Sequence, residues 1–124
     1  MNIKKTAING ITVAVIEPEG GEIVLRDTPS ALDLIMTAKF EAETDRIAIH
    51  KKAVAEDFFI LSTGVAGEIL QKYINYGIKL AIYGDFSRYT SKPLRDFIYE
   101  SNRGNDFFFA ADEQEAVQRL CGAR

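Results

Sequence analysis

The sequence predicts a single α/β domain: a mostly parallel sheet that opens with an N-terminal antiparallel hairpin and carries about four helices. Three observations lead there. Short β-prone runs alternate with amphipathic stretches of helical period along the chain. Asn9-Gly10 separates the first two runs, and both residue types tolerate the positive φ of a two-residue hairpin turn. A length of 124 residues suits one domain, 1–124, large enough to build a core without disulfides or metal.

Ile3 to Ile8 and Ile11 to Ile16 form the hairpin, and ITVAVI is apolar enough to be its more buried arm. Pro18 and Gly20-Gly21 end it, and Ile23 to Leu25 is a short run suited to a further strand. Asp27, Thr28 and Ser30 offer caps for a helix from Pro29 to Glu41, with Ala31, Leu34, Ile35 and Ala38 inward. Arg46 to His50 reads as a strand and Lys51 to Ala55 as a loop.

The stretch Ala55 to Tyr76 opens with Glu56-Asp57, passes through Phe58-Phe59 and turns at Ser62-Thr63-Gly64. A helix follows, with Ala66, Ile69, Leu70, Tyr73 and Ile74 on one face and Gly77 as its stop. Ser62 and Thr63 are placed as its caps, beside first-turn N–H groups that also suit an anion. Gly64 and Gly67, one turn apart, predict a close approach to a neighbouring element. Lys79 to Gly84 is the next strand and Asp85 to Thr90 a polar loop. Ser91 caps a helix to Ser101, Asp106 to Ala110 is a strongly apolar strand, and Asp112 with Glu115 begins a last helix.

Composition narrows the function classes. With 47% apolar residues, 27% charged residues and a net charge of −3, the chain is ordinary for a globular domain. It lacks the basic stripe of a general nucleic-acid binder. The single Cys121 excludes an internal disulfide and fits a reducing compartment. The N-terminus lacks a signal peptide's apolar segment, and no apolar run approaches the ~20 residues that span a bilayer. The expectation is a cytoplasmic protein with no membrane and no nucleic-acid partner. No metal-binding, nucleotide-binding or hydrolase motif is present, so no metal, cofactor or catalytic residue is assigned.

In open parallel sheets, ligands and partners meet the carboxyl ends of the strands. Topology therefore brings His50, Asp57, Asp85, Ser87 and Arg88 to one candidate binding edge, together with Lys51, Glu56, Tyr89, Ser62 and Thr63. Plainer roles stand beside the functional ones. Ser62 and Thr63 are good caps, His50 is a good structural hydrogen-bonding residue, and Asp85 a good turn former.

The block EDFFILSTGVAGEILQKYINYGIKLAIYGDF, followed by YTSKPLRDFIYESN, closely resembles a bacterial family known as domain of unknown function 4180. The resemblance covers nearly the whole chain and implies no particular activity. The element order also resembles the STAS domain of anti-sigma factor antagonists and sulfate transporter tails. There the second helix starts at an Asp-Ser-Ser/Thr-Gly motif whose second hydroxyl is phosphorylated by a partner kinase. Ser62-Thr63-Gly64 falls at the matching place, with Thr63 in the acceptor position and Leu61 where the aspartate would stand. The resemblance thus makes Ser62 and Thr63 candidate phosphoacceptors.

Two functions follow as expectations. The first is a non-catalytic regulatory or protein-interaction module with a protein partner, or a homodimer through an exposed strand edge. The second is a small enzyme or anion-binding protein that uses His50, Asp85 and Arg88.

Overall fold

The computed structural model describes residues 1–124. One sheet holds β1 (Asn2–Ile8), β2 (Ile11–Glu17), β3 (Arg46–His50), β4 (Lys79–Tyr83) and β5 (Phe107–Ala110), in the order β1-β2-β3-β4-β5. β1 and β2 form the antiparallel hairpin, and the other neighbours are parallel. Four helices complete the chain: α1 (Thr28–Glu41), α2 (Val65–Asn75), α3 (Lys92–Arg103) and α4 (Glu113–Gly122). The α/β class and the mostly parallel sheet are therefore as the sequence predicts. The run Ile23–Leu25 makes no strand. Leu25 bridges Val54 in isolation, its N–H donating to the Ala53 carbonyl and its own carbonyl accepting from Ala55 N–H.

Every parallel crossover steps one strand in the same direction. Because such crossovers are right-handed, α1, α2 and α3 fall on one face of the sheet. α4 follows β5 and crosses the other face. Strand alternation divides the side chains between two cores. Ile16, Ile47, Ile49, Leu80, Ile82 and Phe109 pack beneath α1–α3, while Val15, Ala48, Ala81, Phe108 and Ala110 lie beneath Ala116, Val117 and Leu120 of α4.

The helix ends are set by local chemistry. Asp27 caps α1 by accepting from Ser30 N–H at 2.9 Å, while the Ser30 hydroxyl accepts from Asp27 N–H at 3.0 Å. α2 ends in a left-handed Gly77 (φ 69°), with Gly77 N–H donating to Ile74 O and Ile78 N–H to Tyr73 O. Ser91 accepts from Leu94 N–H to start α3, and Asp112 accepts from Glu115 N–H to start α4. Arg46, at the foot of β3, donates to the Leu120 and Ala123 carbonyls and so holds the C-terminal end of α4. No helix is long and apolar enough to cross a membrane.

Two side-chain positions depart from what local chemistry favours. Gly67 does not mediate close packing, because a Cβ built there would meet nothing within 4 Å. It lies on the exposed face of α2, beside Glu68, Gln71, Lys72 and Asn75. Tyr73 is fully buried, and its hydroxyl has no hydrogen-bond partner. Burial holds this phenol well above its ordinary pKa. An unpartnered buried hydroxyl costs ~1–3 kcal/mol.

Two substitutions in α2 should therefore stabilise the fold. Tyr73→Phe removes the orphaned hydroxyl and should raise unfolding free energy by about 1 kcal/mol. Gly67→Ala should add about 0.5–1 kcal/mol through helix propensity. Urea denaturation of both variants checks this, and a loss of stability in Tyr73→Phe would reveal a partner for the hydroxyl.

Candidate functional site

The carboxyl ends of the strands meet two different layers. On the α4 face, β3 and β4 end in the register pair His50 and Tyr83, and β2 ends one residue beyond the Ile16–Ile49 pair at Glu17. Alternation turns all three toward α4. With Ile16, Pro18, Lys52 and Glu113 they line a cavity of about 260 Å³. Lys4 of β1 pairs with Glu113 at 2.7 Å on the same side.

The electrostatics fix which groups can act. His50 Nδ1 accepts from Lys52 N–H at 3.0 Å, and the ring stands edge-on to Tyr83 at 5.2 Å. Burial lowers the His50 pKa, assisted by the Lys52 and Lys51 charges. In the neutral ring the proton then sits on Nε2. The Tyr83 hydroxyl is pushed up to about 12 by burial first, then by Glu113 and Glu17. The cavity therefore offers the neutral His50 and Tyr83 donors and the Lys52 ammonium beside carboxylate acceptors. That is a set for holding a polar group, with no nucleophile hydrogen-bonded to a base.

On the other face the loop after β4 carries the remaining candidates. Gly84 has φ 144°, and a Cβ there would lie 2.8 Å from Lys51 Cγ. The missing side chain lets the lysine stem cross β4. Its ammonium then sits 5.0 Å from the Tyr89 ring centre and 5.8 Å from that of Phe86. Tyr89 donates to Glu56 at 3.2 Å and stacks on Phe59 at 5.0 Å. Burial, then Glu56, raises its pKa. Asp85 accepts from Ser87 N–H at 2.9 Å. Its pKa is lowered chiefly by hydrogen bonding to Ser87, with smaller effects from Lys51 and Arg88.

Ser62 and Thr63 lie further along. Between β3 and α2 the chain makes three 3₁₀ turns, Lys51–Ala53, Glu56–Phe59 and Leu61–Thr63. The hydroxyls thus follow a turn rather than a strand. The cap of α2 is Gly64, in the left-handed conformation (φ 81°) and with no side-chain cap bond. Thr63 Oγ1 donates toward the Asp57 and Ile60 carbonyls, each 2.8 Å away, and accepts from Val65 N–H at 3.3 Å. The expected pair of caps is thereby corrected: Thr63 alone reaches the helix, from one position outside it, because Gly64 takes the cap. Ser62 is exposed and its hydroxyl makes no hydrogen bond within the protein.

The candidates therefore form three groups. Asp57 meets Thr63 through its carbonyl, Asp85 meets Ser87, and His50 belongs with Glu17, Tyr83 and Glu113. No hydrogen bond or ion pair joins His50, Asp57, Asp85 and Arg88 to one another. No group of three or more His, Cys, Asp or Glu side chains converges to hold a metal ion. Sequence reasoning did not bring Glu17, Tyr83 or Glu113 to this edge. Counting alternation back from the three strand ends would have put Glu17, His50 and Tyr83 in one row.

Fold and edge together define an α/β protein whose mostly parallel sheet is covered on both faces, with polar clusters at the strand tips. Residues 8–120 match the model of the family described as Domain of unknown function (DUF4180), and the chain belongs to that family. No curated protein and no solved structure matches it.

Two outcomes test this geometry. His50 is favoured neutral in the fold, so its contribution is present above the unfolded-state pKa of about 6.5 and is lost as pH falls through the lower folded value. The stability advantage of wild type over His50→Gln should shrink between about pH 7.5 and pH 5. Urea titrations across that range measure it, and a pH-independent difference would place the ring in a different environment. Gly84→Ala should cost about 1–3 kcal/mol, because it adds backbone strain and displaces Lys51.

Proposed function

We propose that this chain is a non-catalytic regulatory or protein-interaction module, and that its working surface is the turn Ile60–Thr63 at the start of α2. One observation carries the reading: Ser62, exposed and with an unpartnered hydroxyl, shares one turn with Ile60, which is 48% exposed. Phosphate on Ser62 would add about −1.5 to −2 charges next to the first-turn N–H groups of α2. An uncovered apolar side chain and a switchable charge then share one partner contact.

The resemblance to STAS domains would make Thr63 the acceptor. Hydrogen bonding favours Ser62, because Thr63 Oγ1 holds the turn and a phosphate ester there cannot donate to Asp57 or Ile60. The apolar Leu61 in place of an aspartate also supports a departure from that scheme. A second reading, binding of a small polar ligand at the carboxyl edge, draws on the cavity beside His50 and Tyr83 rather than on Asp85 and Arg88.

The test compares Ser62→Ala, Ser62→Glu, Thr63→Ala and Ile60→Asp. Ser62→Ala should change stability by less than about 0.5 kcal/mol, and Thr63→Ala should cost about 1–2 kcal/mol. Affinity capture from the native cell extract should retain a partner that Ser62→Glu and Ile60→Asp gain or lose. Mass spectrometry should find phosphate on Ser62. An identical retained set for all folded variants, with both hydroxyls unmodified, would overturn the reading.

A further inference from the structure

The sheet has two edges, and the chain treats them differently. β1 carries Lys4 and Lys5, charges that discourage strand addition. β5 carries no such charge: Phe107, Phe108, Phe109 and Ala110 make a wholly apolar strand. Its inward carbonyls belong to Asp106 and Ala110, which accept from Leu80 and Gly84 of the β4 side. By alternation, Phe107 and Phe109 present their backbone groups outward.

One side chain occupies that outward position. Asn102, near the end of α3, accepts from Phe109 N–H at 2.7 Å and donates to Phe109 O at 3.1 Å. These are the two hydrogen bonds that one residue of an added antiparallel strand would make. The amide is a stand-in for a strand, and exchanging it for a peptide backbone conserves the number of hydrogen bonds. Such an exchange is close to neutral in free energy.

Beside Asn102 lies a groove of about 480 Å³, lined also by Phe86, Tyr89, Arg95, Ile98 and Tyr99 among others. Helical spacing puts Arg95, Ile98, Tyr99 and Asn102 on one flank of α3. Phe86 packs edge-on against Phe109 at 5.5 Å, so groove and strand edge are continuous. Tyr99 is 62% exposed and carries Arg103 over its ring at 5.6 Å. Although the whole chain is acidic, the groove's lining holds one cation and no carboxylate. Asp96, paired with Lys92, and Glu100 fall on the opposite flank of the helix.

We infer that the outer edge of β5 and this flank of α3 form a strand-addition site, held closed by Asn102, for an extended acidic segment of a partner protein. The partner's backbone replaces the Asn102 amide on Phe109. Its alternate apolar side chains fill the groove over Ile98 and Tyr99, and its carboxylates meet Arg95. This surface is distinct from the start of α2 and does not depend on any modification of Ser62 or Thr63.

The test uses the full chain and a terminally blocked hexapeptide of alternating valine and glutamate, followed by amide chemical shifts. Shifts should concentrate at Phe107, Phe109 and residues 95–102. Arg95→Glu should weaken binding at least tenfold. Asn102→Ala, which removes the competing amide, should tighten it by about tenfold, or ~1.4 kcal/mol. The valine–lysine hexapeptide should bind at least tenfold more weakly. The inference is overturned if folded Asn102→Ala shows no shifts at β5, or if both peptides bind alike. It is also overturned if Asn102→Ala dimerises through β5 and ignores the peptide, which would make a second copy of this chain the occupant.

Discussion

The structure depends on an unequal division of side-chain size between the two faces of the sheet. β3 and β4 alternate large and small residues in register: Ile47, Ile49, Leu80 and Ile82 face the three crossover helices, whereas Ala48 and Ala81 face α4. Three helices present enough apolar surface to cover the large side chains, each worth about 1.5–3 kcal/mol on burial. A single helix cannot cover a layer of that depth. The alanines let α4 sit close to the backbone, and Ala116 completes the contact from the helix side. α4 is then held at both ends, by Lys4 on Glu113 and by Arg46 on the terminal carbonyls. Its position in turn sets the roof of the His50–Tyr83 row, through Glu113.

A second dependence links β4 to the start of α2. Gly84 makes room for the Lys51 stem, the Lys51 ammonium lies over Phe86 and Tyr89, and Tyr89 reaches Glu56. Those contacts fasten the first two 3₁₀ turns to the loop after β4, with Phe58 and Phe59 buried beneath. The third turn needs its own tie, which Thr63 supplies. The two adjacent hydroxyls therefore have different physical roles: one closes a turn, the other faces outward unengaged.

Most of the fold was legible in the sequence because its signals are local. Asn9-Gly10, the Asp27 and Asp112 caps and Gly77 each act within a few residues, and the chain forms the elements they mark. The bend from Lys51 to Thr63 was not legible. Phe58, Phe59 and Leu61 fit neither a helical nor an alternating period, and Phe59 packs on Tyr89 and Phe86, some thirty residues away. Gly67 was misread for a related reason. Its spacing from Gly64 suggests packing, but only the placement of neighbours shows that its face is open. The row Glu17–His50–Tyr83 requires strand register, and the Asn102–Phe109 contact requires knowing which backbone groups of β5 face outward.

Sheet order constrains where any function can reside. A crevice at the strand tips forms where successive crossovers turn in opposite directions and their helices part on opposite faces. Here the order β1-β2-β3-β4-β5 never reverses, so the loops after β3 and β4 lie side by side above one layer of helices. They close on each other through Lys51, Tyr89 and Glu56 instead of opening around a ligand. Peripheral surfaces remain, among them the turn before α2, the cavity over His50, and the groove beside β5. Each offers contact surface or hydrogen-bonding groups, and none assembles a base with a nucleophile. An order without reversal thus leaves the polar side chains of this chain in separate clusters instead of around one crevice.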